Sequence, residues 1–282
     1  MADETFERRC ATEDMSTGDR ARMRELEDSS RARAIDLSKS CKIIVPVNFI
    51  HITDGADGKV TSTARDRQIK VLNKAFSPMK VKFKENSAKT KNSKSFFKMG
   101  HRSLAERKAK TQLQSIDPGT GLNFYTAGPA GGILGWATFP YLLAGDPVMD
   151  GIVVLHSTMP GGSSPRYNLG VTAVHEVGHW LGLYHTFQDG CTPPGDEVKD
   201  TPSHSGPNYG TPDDSLPWNA CKAGTRAPVR NYMNYTDDAH MTEYTKGQRD
   251  RIWAQTKMFR PALITCPDNK QDLIKDQKPI EW

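Results

Sequence analysis

The chain has 282 residues, of which 36% are hydrophobic and 25% charged. That balance suits a globular protein with one large domain or two lobes around a cleft. No apolar run approaches the roughly 20 residues of a membrane-spanning helix, and the net charge of +5 sits largely on lysines at residues 80–98, without the interleaved aromatics of a nucleic-acid surface.

Residues 1–40 are rich in Arg, Asp, Glu and Ser and poor in aliphatics. The N-terminus is charged from Asp3 onward with no apolar leader, so no signal peptide is expected in it. A helix is expected over residues 16–37, without the apolar stripe needed for a core of its own; the stretch reads as an arm or pro-segment. The character changes at Cys41. The run Lys42-Ile43-Ile44-Val45-Pro46-Val47-Asn48-Phe49-Ile50-His51-Ile52 reads as a strand, with Pro46 marking an irregular or edge portion. Residues 63–76 read as a helix with Ile69, Leu72 and Phe76 on one face. Residues 79–84 alternate as a strand, and the lysine-rich stretch 80–98 reads as a solvated loop. A helix follows over 103–114, then strands over 122–126, 133–139 and 151–156, and a helix over 168–181. From Gly182 to Thr242 the chain is turn-rich, and a last helix over 245–259 stops before Pro261. The order gives a sheet-bearing lobe over 41–186, a loop-rich lobe over 187–262 and a polar tail over 263–282.

The chemistry concentrates in His175-Glu176-Val177-Gly178-His179-Trp180-Leu181-Gly182-Leu183-Tyr184-His185. His175 and His179 leave the same face of a helix, which lets two imidazoles reach one zinc ion. Glu176 falls beside such an ion, where it can take the proton of an attacking water. A continuous helix would carry residue 185 about 15 Å along the axis from residue 175. Gly182 can adopt the left-handed conformation that ends a helix, after which His185 can return as third ligand. A bare His-Glu-x-x-His arises by accident on amphipathic helices; the extended pattern fixes five positions in eleven. This longer pattern, followed by a methionine turn, is the signature of metzincin metalloproteases. Met233, within Asn231-Tyr232-Met233-Asn234-Tyr235, supplies that turn.

Further segments make the resemblance closer. They are Leu122-Asn123-Phe124-Tyr125-Thr126, Leu134-Gly135-Trp136-Ala137-Thr138-Phe139-Pro140, Asp150-Gly151-Ile152-Val153-Val154-Leu155, Tyr167-Asn168-Leu169-Gly170, Asp200-Thr201-Pro202 and Gly247-Gln248. With the zinc motif, running on into Thr186-Phe187-Gln188, and the methionine turn, they resemble the pappalysin-type metzincins, above all the short secreted fungal and bacterial members. The resemblance covers residues 96–252; the first 95 residues match only loosely. It implies an α+β metzincin architecture, with a mixed twisted sheet and helices above the cleft and a loop-rich lower lobe ending in a C-terminal helix.

The resemblance also implies roles. Tyr235 would lie near the zinc and hydrogen-bond the oxyanion, or else serve packing. Gly135, Trp136 and the residues up to Phe139 would form the upper rim of the cleft, binding extended protein or peptide substrates by strand addition. The loop 189–201 would carry a calcium ion in some relatives, with Asp196 and Asp200 as oxygen ligands; the alternative is a capped, disulfide-tied loop. Of the five cysteines, Cys191 and Cys221 fit one family disulfide. A second family pair is replaced by Gly206-Pro207 and Asp238-Ala239-His240, leaving one bridge and an extracellular, oxidising setting. Asp237 and Asp238 follow the methionine turn, where they would pair with a basic substrate side chain or be solvated turn residues. Arg8-Arg9-Cys10-Ala11-Thr12 resembles the Arg-x-Cys-Gly-Thr of some proforms, whose cysteine silences the metal; here Ala11 replaces Gly, and the alternative is a free cysteine in a tail. Arg31-Ala32-Arg33 offers basic sites for removal of the arm. The remaining histidines show no ligand spacing, and His156, at a strand end near the rim, is the one placed to meet substrate.

Two functions follow. The first is a zinc endopeptidase, secreted and made as a Cys-latent zymogen. The second is a zinc-containing metzincin-fold binding or effector protein that holds a protein partner. The intact Glu176 favours the first.

Overall fold

The computed structural model describes residues 10–13 and 15–268. Arg8 and Arg9 of the arm, and the tail from residue 269, lie outside these. The helices are α1 (Thr17–Ser40), α2 (Ser62–Phe76), α3 (Lys94–Phe97), α4 (Leu104–Leu113), α5 (Val171–Trp180) and α6 (Lys246–Phe259). The strands are β1 (Lys42–Thr53), β2 (Val81–Asn92), β3 (Leu122–Ala127), β4 (Gly135–Ala137), β5 (Ile152–Leu155), β6 (Tyr209–Gly210), β7 (Tyr235–Thr236) and β8 (Ile264–Thr265).

The sheet runs β2-β1-β3-β5-β4, with β8 added to the start of β1. Pairing is parallel except for β4 on β5 and β8 on β1. β1 is therefore central, not an edge. Pro46 is tolerated because pairing with β3 begins only at Val47, and on the β2 side the register shifts between Val47 and Asn48, so the missing N–H costs no ladder bond with β3. The lysine-rich stretch is a second departure from expectation. It is not a loop: Val81–Asn92 forms a long edge strand beside β1. Only Val81 and Phe83 are buried, so hydrophobic patterning could not reveal its second half, while charge protects the open edge. Ile264 and Thr265, assigned to a polar tail, belong to the sheet.

The main core cluster draws on both ends of the chain. Val45, Val47 and Phe124 of the sheet join Val174 and Val177 of α5, Met233, and Ile252 and Trp253 of α6. Beneath α5, the buried Asp150 carboxylate accepts from Trp180 Nε1 at 3.1 Å and from Arg260 Nη2 at 2.6 Å. That pairing fixes the end of α5 to the start of β5 and satisfies two groups that would be costly to bury alone.

α1 packs along α6. The expected helix is present and runs to Ser40. Its weak apolar pattern reflects how it is held: buried Glu27 pairs with Arg251 at 2.9 Å, Arg20 with Asp189 at 2.6 Å, and Arg24 with Glu197 at 3.1 Å. Arg31, Ala32 and Arg33 lie within this helix. Two disulfides are formed, Cys191–Cys221 as expected and Cys41–Cys266, which was not. The second joins the end of α1 to the end of β8, residues too far apart in sequence for local spacing to suggest.

Candidate active site

α5 begins sharply. Gly170 has φ of 85°, and the Asp238 carboxylate accepts from the backbone N–H of Leu169 at 3.0 Å and of Val171 at 3.3 Å. This supplies the negative cap that a helix N-terminus favours. It also explains why the helix starts later than the apolar pattern indicated. Every residue of α5 is buried.

At the other end the chain reverses at Gly182, φ 100°. A side chain there would stand 2.5 Å from Gln255 Cγ, so both conformation and space demand glycine. The reversal brings His185 back to His175 and His179. The Nε2 atom of His179 lies 3.1 Å from Nε2 of His175 and 3.1 Å from Nε2 of His185.

The tautomers follow from the neighbours. His175 Nδ1 faces the Tyr232 carbonyl at 2.7 Å, and His179 Nδ1 faces the Leu183 carbonyl at 2.7 Å. A carbonyl only accepts, so both Nδ1 atoms carry the proton and both Nε2 atoms present bare lone pairs. Burial pushes His179 down to about 4 and His185 well below its usual range, so both rings are neutral and can offer a lone pair. Bare lone pairs facing one another at such range call for a cation. Tetrahedral ligands at about 2.0–2.1 Å from a metal would stand roughly 3.3 Å apart, so the donor set fits a metal ion.

The third histidine is held differently. Its ring stacks on Phe187, centroids 4.7 Å apart and planes within 11°. Tyr235 Oη lies 3.2 Å from His185 Nε2. Met233 is fully buried beneath α5, so close to Gly178 that a methyl group there would collide with Met233 Sδ. Its backbone N–H donates to Asn231 Oδ1 at 2.9 Å, and Asn231 is locked side chain to side chain with Gln248.

Cys10 completes the cluster: its sulfur and the ligand atoms of His175, His179 and His185 all lie within 4.8 Å of one another. The arm reaches it along the free edge of β4. Cys10 pairs with Gly135 in parallel sense, and Ala11 N–H donates to the Gly135 carbonyl at 3.0 Å. Thr12 links both sides, its hydroxyl accepting from Ala137 N–H at 2.9 Å and donating to Glu176 Oε2 at 3.1 Å. Cys10 Sγ–H also faces Glu176 Oε2, at 3.4 Å. Burial, and then the adjacent Glu176 carboxylate, push the thiol well above its usual range. Ala11 in place of glycine does not prevent this path.

Other expected residues fall elsewhere. Trp136 is buried, its Nε1 donating to Glu106 Oε1 at 2.6 Å, in a cluster against which Ala11 of the arm packs. Asp238 is the helix cap described above, and Asp237 Oδ1 lies 3.9 Å from Arg166. Asp196 accepts from Val198 N–H and Asp200 from Gly247 N–H. Among the described residues the cluster at Cys10 alone brings such metal-ligating groups together, so calcium at Asp196 and Asp200 is not supported. His156 points to Asp57, 3.2 Å away. Sequence reasoning missed Thr12, Phe187, and the carbonyls of Leu183 and Tyr232. Of these, Thr12 inside the Cys10 stretch and Phe187 inside the extension of the zinc motif left a readable signal.

Comparison with known proteins decides the family. The pattern of the peptidase family described as pregnancy-associated plasma protein-A matches residues 159–257. An extracellular metalloprotease of Colletotrichum graminicola is 36% identical over 83% of this chain and 83% of its own. The chain belongs to this pappalysin-type metalloprotease family. A Neurospora crassa extracellular metalloprotease is 36% identical over 89% of this chain and 88% of its own. In fold, the chain resembles a promirolysin mutant of Tannerella forsythia, a metzincin, with a TM-score of 0.77 and 22% identity over 90% of this chain and 96% of that one. The mature mirolysin, in complex with a cleaved peptide, aligns at a TM-score of 0.67 and 24% identity over 83% of this chain and 94% of its own. This pappalysin-type chain is thus a metalloprotease, a hydrolase of peptide bonds; a role confined to holding a partner is not favoured. No helix among its described residues is long and apolar enough to cross a membrane.

Proposed function

We propose that His175, His179 and His185 hold one catalytic zinc ion, that Glu176 is the general base, and that residues 1–40 keep the protease latent through Cys10. The observation that carries this reading is the convergence of the three Nε2 atoms with the Cys10 sulfur. When bound there, zinc supplies a Lewis acid and brings the pKa of water down to about 7.

The chain's own groups do the rest. Glu176 takes the proton of the attacking water and passes it to the leaving nitrogen. Tyr235, whose hydroxyl burial keeps protonated far above its usual range, donates a hydrogen bond to the developing oxyanion. The backbone of Gly135 to Ala137 offers an edge to an extended peptide. Met233 supports the histidines from below.

Latency follows from two contacts of one segment. The Cys10 sulfur offers a fourth donor where water would otherwise sit, and the Cys10 and Thr12 side chains engage Glu176 Oε2, the atom needed for proton transfer. Two disulfides and extracellular relatives support secretion. We read residues 41–186 as the upper lobe and 187–262 as the lower. The test is cleavage of casein by the processed chain, with metal analysis. Zinc at one per chain and loss of cleavage in 1,10-phenanthroline support the reading; activity that survives complete metal removal refutes it.

A further inference from the structure

Next to the metal-ligating cluster lies a cavity of about 320 Å³. Phe139 forms one wall and packs edge-on against His179, ring centroids 5.4 Å apart. The cavity therefore shares a wall with the site. Its floor continues from Ala137, the last residue of β4, and its outer wall comes from α4 and the turn before it.

The charges around the cavity nearly cancel. Buried Glu106 pairs with Lys110 at 2.8 Å and accepts from Arg102 N–H at 2.6 Å. Arg107 pairs with Asp146. The remaining cation is the Arg102 guanidinium, and its carboxylate partner is Glu13 at 2.5 Å, with His101 Nδ1 3.9 Å from the same side chain. Glu13 belongs to the arm. The arm leaves Cys10 at the cluster, follows β4 through Ala11 and Thr12, and delivers Glu13 into this cavity. When the arm is gone, the cavity keeps an unpaired guanidinium beside the edge that a peptide would follow.

We propose that this cavity is a substrate subsite for an acidic side chain, with Arg102 as its counter-ion, and that Glu13 fills it in the latent chain. The proposal rests on reading β4 as the substrate edge. Glu13 follows Cys10 by three positions, so the favoured residue lies about three residues from the one at the metal, roughly 10 Å along an extended chain. Arg102 is exposed, so the preference is that of a solvent-accessible ion pair, about threefold to fivefold, and falls with salt.

The test uses the full-length chain with Cys10, Thr12 and Glu13 all changed to Ala and loaded with zinc, whose arm has lost its contacts at the cluster, on Glu176 and in the cavity. Peptides identical except for Glu, Gln or Lys at each of the positions flanking the cleaved bond are compared by kcat/KM. The expected result is a Glu-over-Gln ratio of about three to five at one position, on one side only, that shrinks in 0.5 M salt. Arg102→Gln should bring the ratio to about one, and Arg102→Glu should shift the preference to Lys. Cleavage of all the peptides with a ratio near one everywhere, or a ratio unmoved by Arg102→Gln, overturns the subsite and leaves the protease reading intact. Failure to cleave any peptide with zinc bound sinks both. A second measurement needs no turnover. In the otherwise wild-type chain, Glu13→Lys should speed alkylation of Cys10, and adding Arg102→Glu should restore the slow rate. Equal rates in all three chains contradict the pairing.

Discussion

Gly135 and Glu176 touch: a methyl group on Gly135 would stand 2.9 Å from both Cγ and Oε1 of Glu176 and 2.9 Å from the Val153 carbonyl oxygen. The strand cannot retreat, because its other edge is paired to β5. Gly135→Ala should therefore move the carboxylate while leaving the histidines in place. A displacement near 1 Å in a catalytic group can cost about 100-fold. We expect kcat to fall by roughly ten- to 100-fold with zinc content unchanged; loss of zinc in parallel with activity would show that the strain spreads into the cluster.

Removing the base without moving it is the complementary change. Glu176→Gln should keep zinc and lower kcat by about 10²- to 10⁴-fold. His185→Ala should lower zinc occupancy itself, measurable by atomic absorption after dialysis. Full activity in the Gln variant, or undiminished zinc in the Ala variant, would reassign these residues.

The arm predicts a different sign. Cys10→Ala should raise the activity of the unprocessed chain, and the wild-type thiol should resist alkylation until metal is stripped. Equal activity of the two full-length chains, with Cys10 freely alkylated in the zinc-loaded wild type, would rule out latency through sulfur.

Cys41–Cys266 closes a loop with a sequence separation of 225. Bridges across long loops restrict the unfolded chain most, and native ones in small secreted domains typically contribute about 2–5 kcal/mol. Replacing both cysteines by serine should lower unfolding free energy by roughly that much, read from urea melts. A change below about 0.5 kcal/mol would mean that α1 and β8 are held by packing alone.

His51 gives a pH dependence. Burial, then the Arg65 charge, push it down to about 4; its Nδ1 lies 2.8 Å from Thr126 Oγ1. The folded value is below the unfolded one near 6.5, so its contribution is complete above pH 6.5 and is lost as pH falls from there towards 4. The loss amounts to about 3 kcal/mol. His204 and His101, lowered mainly by burial, add to the same slope. His51→Gln should flatten the decline in stability between pH 7 and pH 4 relative to wild type; identical slopes would show that His51 titrates normally.

What could be read in advance depended on range. His175, Glu176, His179, Gly182 and His185 lie within one short helix and one reversal, where helix geometry and the glycine turn fix their meeting. Phe187 and the carbonyls of Tyr232 and Leu183 orient the rings, yet the orienting role of an aromatic neighbour or a backbone oxygen carries no distinguishing pattern. Asp238 resembled a pocket acid because its place after Met233 was visible, whereas its partners, the N–H groups of Leu169 and Val171, came from another segment. The second half of β2 escaped notice because an edge strand whose side chains are nearly all solvated has no apolar alternation. The helix α1 was readable but its docking was not, because it is held by buried ion pairs of Arg20 and Glu27 rather than by an apolar stripe.

The bridge between Cys41 and Cys266 also brings the two ends of the catalytic body side by side, their Cα atoms 4.3 Å apart. A short peptide linker in place of the bridge would span that distance, and new termini could be opened in the exposed turn between Lys222 and Gly224. Such a circular permutant keeps α5, the reversal at Gly182 and the methionine turn each unbroken, with the methionine turn now ahead of α5. The linker takes the place of α1 and the segment that carries Cys10, which are left out. The permuted chain would thus fold without its own inhibitor, and its producer would need another means of keeping it inactive before export.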